Sequence, residues 1–145
     1  LSRGDEPDTM DLADTLVMIG KKVLAPVLTD GRGHPLHEPA WAWYDSKNVR
    51  TGLWQIPEPI APVLPASAID QVEVVLCSAL FVDRSGYRVG VGGGWYDRVL
   101  AHRADDVPVW AVVNDDEIVD EVPHDPWDEP VTAALTPTGL HLLGQ

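Results

Sequence analysis

Apolar residues recur at three-to-four spacing between Asp8 and Gly20, where Leu12, Ala13, Leu16, Val17 and Ile19 mark one face of a helix. Asp8 or Thr9 can cap its first turn and Gly20 can end it. Lys22 to Val27 (KVLAPV) then reads as a short buried strand, with Pro26 suggesting its end or an edge. Asp30-Gly31-Arg32-Gly33 is a turn, and Pro35 to Trp43 runs extended behind it. Four prolines between Ile56 and Pro65 (Pro57, Pro59, Pro62, Pro65) predict a rigid extended connection, and the apolar residues that persist through it argue against a domain linker. Val72 to Leu76 (VEVVL) is the best strand, a nearly continuous apolar run of the parallel type covered on both faces.

A glycine-rich turn from Arg88 to Gly94 comes next, with a helix from Trp95 to His102 opening directly from it. Pro108 to Val113 (PVWAVV) is a second buried strand, and Val131 to Thr136 and Leu140 to Leu143 form a strand pair around Pro137-Thr138-Gly139. Strand, glycine turn, helix, strand is the α/β pattern, and neither an internal repeat nor a low-complexity tract interrupts it. The first helix begins so near Leu1 that the chain starts almost inside an element, as a fragment would.

Composition narrows the classes. With 145 residues, 45% of them hydrophobic, the chain is one compact domain or a large piece of one, with enough apolar surface to exclude wholesale disorder. One cysteine offers neither a disulfide framework nor a thiolate zinc site, so a reducing cytoplasm fits best. No apolar run approaches the roughly 18 residues of a membrane helix, and LSRGDEPDT has no signal-peptide core. The net charge is −13, and ten carboxylates with no Lys or Arg lie between Asp105 and Gln145, which excludes a phosphate-backbone partner such as nucleic acid. This acidity reads as solvated surface, or in part as carboxylates for a divalent metal. His34, His37, His102, His124 and His141 lack zinc spacing, and no serine sits in a GxSxG elbow.

Most of the chemistry is carried by Arg88-Val-Gly-Val-Gly-Gly-Gly-Trp-Tyr-Asp-Arg98. Gly90, Gly92, Gly93 and Gly94 strip Cβ atoms from a short stretch, so that main-chain N–H groups and the following helix start can face an anion. The spacing is neither GxGxxG nor a Walker loop, and a glycine cluster alone also describes a tight turn. Arg88 adds a bidentate fork for phosphate, Tyr96 a ring and hydroxyl, and Asp97 a carboxylate suited to magnesium.

RVGVGGGWYDRVL resembles the RxGxGxGYYDR-L signature of the 5-formyltetrahydrofolate cyclo-ligase family. In order along the chain, GDEPDTMDLADTLVMIGK (Gly4 to Lys21), GLWQIPEP (Gly52 to Pro59) and VDEVPHDPWDEPVTAALTP (Val119 to Pro137) resemble three further family segments. The resemblance implies one three-layer α/β/α domain over residues 1–145, with a mostly parallel sheet of the NagB/RpiA/CoA-transferase-like kind. It implies conversion of 5-formyltetrahydrofolate to 5,10-methenyltetrahydrofolate with ATP and Mg2+, releasing ADP and phosphate through an imidate phosphate, by a cytoplasmic monomer without nucleic-acid or membrane partners. Arg88 and Tyr96 would be catalytic. Arg88, Gly90, Val91, Gly92, Gly93, Gly94, Trp95 and Tyr96 would bind ATP; Glu6, Trp54, Trp95 and Tyr96 the folate; Asp97 and Asp128 the metal. Trp54 reads equally as core packing, and Asp128 as a turn residue.

The chain departs from the family pattern in three places. Relatives carry a further N-terminal helical segment whose Lys and Arg reach the ATP phosphates, so this chain reads as N-terminally truncated. Tyr, Arg or Lys often stands at the positions of Val91 and Gly93, and Trp95 replaces the first tyrosine of the pair. Cys77-Ser78 replaces a Pro-Gly, although Phe81 and Asp83 keep the end of that motif; Cys77 itself reads as an inert small apolar residue. The alternatives are a non-catalytic folate- or nucleotide-binding module acting as a sensor, and another enzyme with a sugar phosphate in the glycine turn.

Overall fold

The first helix forms where the pattern placed it. In a computed structural model describing residues 1–2, 5–90 and 94–144, α1 spans Thr9–Met18. Asp8 caps it by accepting from the Met10 and Asp11 N–H groups at 3.0 and 3.1 Å. Its end is a Schellman turn, in which Gly20 (φ 92) and Lys21 donate to the carbonyls of Val17 and Leu16.

The described residues divide into two compact units, Leu1–Gln71 with Asp97–Arg103, and Val72–Tyr96 with Ala104–Gln145. In the first, β1 (Leu24–Thr29) and β5 (Leu64–Pro65) flank β2 (Pro35–Trp43) in an antiparallel sheet, so Pro26 does lie on an edge strand. A second antiparallel pair joins β3 (Val49–Thr51) to β4 (Pro57–Pro59), so part of the proline-rich connection is itself strand. Small side chains dominate this core: Ala13 and Ala25 pack with Tyr44, and Val27 with Ala40 and Ala42. The Tyr44 hydroxyl donates to Asp14 of α1 at 2.6 Å, and burial together with that carboxylate pushes it up to about 12.

The second unit contains the parallel pairing. A four-stranded sheet runs β12 (Gly139–Leu142), β11 (Ala133–Thr136), β9 (Val109–Val112), β6 (Val75–Ser78); β6, β9 and β11 are parallel, and β12 returns antiparallel from β11. Beside it in sequence, β7 (Phe81–Asp83) pairs with β8 (Arg88–Val89) antiparallel and with β10 (Ile118–Val119) parallel. The result is a mixed α/β fold. A mostly parallel sheet describes the four-stranded sheet only, since the pairs of the first unit are all antiparallel. Boundaries also move, β1 lying at Leu24–Thr29 rather than Lys22 to Val27. β6 begins at Val75, where its N–H meets the Pro108 carbonyl and pairing with β9 starts, and α2 spans Trp95–Leu100 before tightening into a turn at His102 and Arg103.

Candidate active site

The carboxyl end of β6 meets the start of α2. Ser78, the last residue of that strand, donates its N–H to the Tyr96 hydroxyl at 3.1 Å, and its own hydroxyl lies 3.3 Å away. Arg88 on β8 places its guanidinium carbon 5.5 Å from the centre of the Tyr96 ring, a cation–π distance. Burial pushes the Tyr96 phenol up, and the neighbouring Cys77 adds to this against the opposing pull of Ser78 and Arg88. The hydroxyl therefore stays protonated at neutral pH and can donate. Trp95 completes the group, edge-on to Tyr96 at 5.2 Å and 90°.

Around the glycines, the structure gives two details. Gly94 takes φ 65, which favours glycine, whereas among the described residues a Cβ on Gly90 would meet the Arg88 guanidinium at an ordinary 3.6 Å. Packing among the described residues does not demand glycine at position 90. Val91, Gly92 and Gly93 lie outside the described residues. With six residues α2 is a turn and a half, so the expected helix-dipole contribution to an anion site has little behind it.

The proposed metal carboxylates are both exposed, Asp97 in the first turn of α2 and Asp128 in a loop turn. Asp128 accepts from the Asp125 N–H at 2.7 Å while its own N–H donates to the Asp125 carbonyl, so the turn role weighed for it is one it does fill. Among the described residues no group of three or more His, Cys, Asp or Glu gathers for a metal. Magnesium does not need one, because it takes one or two carboxylates with substrate phosphates and water.

The two folate candidates belong to the first unit. Glu6 is exposed just ahead of α1. Trp54 is 63% exposed, which removes the core-packing reading, and it sits at φ 54 beside Gln55 at φ 63. Left-handed backbone costs a non-glycine residue roughly 1–2 kcal/mol, so this largely exposed indole sits on a backbone that something must hold.

Three groupings escaped the sequence reading. Ser78 is a partner of Tyr96, although it had stood out only as a departure. Asp83, 2% exposed, accepts from the N–H groups of Ser85 and Tyr87 at 3.0 Å and of Val122 at 3.1 Å, tying the β7–β8 turn to the segment that leads to Asp128. Glu58, 1% exposed, is held by Arg50 at 2.9 Å. Only the EP and FVD dipeptide and tripeptide contexts hinted at these carboxylates, and nothing in their spacing announces burial. Cys77 is fully buried with its thiol pushed up to about 11 by burial, in keeping with an inert role.

A mixed α/β protein that gathers arginine, tyrosine and serine at the carboxyl end of a parallel strand has polar groups where open α/β sheets commonly bind ligands. A family model described as the 5-formyltetrahydrofolate cyclo-ligase family matches residues 1–137. A 5-formyltetrahydrofolate cyclo-ligase of Mycolicibacterium smegmatis is 44% identical over 135 residues, 92% of this chain and 69% of that protein. One from Escherichia coli is 29% identical over 95% of this chain and 75% of its own length. The solved structure of Aquifex aeolicus 5,10-methenyltetrahydrofolate synthetase superposes with a TM-score of 0.77 at 21% identity, covering 100% of this chain and 70% of that one, a likeness of fold. The chain belongs to the 5-formyltetrahydrofolate cyclo-ligase family and is an enzyme of that class.

Proposed function

We propose that the chain converts 5-formyltetrahydrofolate to 5,10-methenyltetrahydrofolate at the expense of ATP. A formamide oxygen is a poor leaving group, and the reaction makes it a good one. That oxygen attacks the γ-phosphorus, the bond to ADP breaks, and an imidate phosphate forms; the second folate nitrogen then adds to the activated carbon and phosphate departs. Such chemistry asks the protein to position and neutralise rather than to supply a nucleophile. Arg88 faces the transferred phosphoryl group, and Tyr96, kept protonated, donates a hydrogen bond where phosphate meets folate. Main-chain N–H groups from Gly90 through Val91, Gly92, Gly93 and Gly94 to Trp95 cradle the phosphates. The Glu6 carboxylate accepts from the pterin N–H donors, and the exposed Trp54 ring forms a wall for the folate. Asp97 and Asp128 supply the hard oxygen ligands magnesium prefers, and the ion would neutralise phosphate charge. The protein is read as a cytoplasmic monomer with the three-layer arrangement; among the described residues no helix is long and apolar enough to cross a membrane.

The observation that carries this reading is the Arg88 guanidinium over a Tyr96 ring whose hydroxyl is anchored at the end of β6. The test mixes protein, 5-formyltetrahydrofolate, ATP and magnesium and follows the near-ultraviolet absorbance of the methenyl product. Turnover that disappears in Arg88→Ala and falls in Asp97→Asn supports it. Folate binding without ATP consumption would replace it with the binding-module reading.

A further inference from the structure

The turn that carries Trp54 must be held in place by something outside itself. The Ile56 N–H closes it by donating to the Leu53 carbonyl at 3.0 Å, and both central residues, Trp54 (φ 54) and Gln55 (φ 63), have left-handed backbone. Mirror-image turns of this kind are ordinarily built from Gly, Asn or Asp. An indole and a long amide persist there only when the surroundings over-determine the backbone. No core burial rewards the indole, which stays 63% exposed.

Glu58 is placed to supply such a restraint. Its carboxylate accepts from Arg50 Nε on β3 at 2.9 Å, from the Leu28 N–H on β1 at 2.9 Å, and from the Thr29 hydroxyl; Arg50 also donates to the Thr29 carbonyl at 3.2 Å. One buried carboxylate thus fastens both stems of the turn to β1. Gly52, at the foot of the turn, lies so close that a Cβ there would stand 2.6 Å from Glu58 Oε2. Glu58 is buried while Arg50 stays partly exposed, so what the pair adds is geometry, charge-assisted bonds that fix β3 and β4 against β1.

We infer that Glu58, acting through Arg50 and against Gly52, is a positioning residue that pre-sets the Trp54–Gln55 turn so that the indole face meets the flat bicyclic ring of the substrate. This rests on the reading of Trp54 as a folate wall. A ring already held in place loses less freedom when the ligand arrives.

The test titrates the protein with 5-formyltetrahydrofolate and reads affinity by calorimetry, with the Trp54 fluorescence contribution defined by difference from Trp54→Phe. Loss of one aromatic stack predicts that Trp54→Ala weakens binding about tenfold or more. Glu58→Gln should weaken it by a similar factor in protein that remains folded by circular dichroism, with ATP affinity unchanged. In the double variant the two losses should not add, because both act through one ring. Gln55→Gly in the Glu58→Gln background should restore affinity, since glycine takes φ 63 without strain. Should Glu58→Gln fail to fold, Arg50→Lys keeps the charge, loses the planar fork and carries the same expectation. Fully additive losses, or unchanged affinity in the folded Glu58 or Arg50 variant, overturn the positioning role and leave Trp54 as a wall. Unchanged affinity in Trp54→Ala, or no saturable binding to the unsubstituted protein, removes the wall and this inference with it.

Discussion

Tyr96 shows how a single side chain can be half-legible. The glycine-WYD context marks it in the sequence, but its anchor Ser78 comes 18 positions earlier and is set by where β6 stops. Tyr96→Phe keeps the ring beneath Arg88 and deletes only the hydroxyl, so turnover of 5-formyltetrahydrofolate should fall about 10- to 100-fold with little change in unfolding temperature, as expected for loss of one positioned donor. Asp83 belongs to stability. Its two oxygens serve three main-chain N–H groups, and Asp83→Asn turns one acceptor into a donor facing an N–H; urea unfolding should show a loss of about 1–3 kcal/mol. Asp115 sets the response to acid. Hydroxyl donation from Thr136 and Thr138, and then the nearby His141, hold its carboxyl below the usual range. A group with a lowered folded pKa stabilises the fold above its unfolded value, near 3.9, and the contribution is lost as pH falls through the folded value. Stability measured from pH 5 to pH 2 should therefore drop less steeply in Asp115→Asn than in the unsubstituted protein.

Elements were legible in proportion to their length. α1, β2 and the β11–β12 hairpin repeat a pattern over enough residues to declare themselves, and their caps and turns are written in Asp8, Gly20 and Gly139. β3, β4, β7, β8 and β10 are two or three residues long, shorter than one statement of a period, and exist because a partner strand is present. The glycines that matter differ for the same reason. Gly86 looks no more special in sequence than Gly90, yet it has φ 97, and a Cβ on it would stand 2.2 Å from the Val131 carbonyl, whose residue donates back to Gly86 at 2.8 Å. Gly86→Ala should cost at least roughly 1–2 kcal/mol from the backbone conformation alone, with the main-chain clash added. Among the described residues a Cβ at Gly90 has room, so Gly90→Ala should stay within about 0.5 kcal/mol in the same unfolding assay. If the amides around position 90 cradle phosphate, its ATP affinity should fall regardless. Unchanged ATP affinity would return this stretch to a plain turn.

On the scale of the molecule, the sequence announced α/β, and contacts among the described residues fall into two units with a boundary between Gln71 and Val72. No glycine- or proline-rich linker marks that junction in the sequence. The parallel type of β6 was foreseeable from VEVVL; the antiparallel pairing of the first unit was not, because a strand's own residues, even where Pro26 marks an edge, do not name the partner it will meet. Cys77 offers a probe of this second unit as a whole. It lies fully buried on β6 in register with Ala111 of β9, and with a thiol near 11 only on the order of one molecule in a thousand would be thiolate at pH 8 even if reached. Modification by a disulfide reagent must therefore wait for the sheet to open, and its rate should report that opening. The rate should rise in Asp83→Asn and Gly86→Ala by the factors their stability losses imply, because each loosens this same unit. Rapid labelling insensitive to either change would mean that the thiol is reachable in the folded sheet, and that the four-stranded core is not closed over β6.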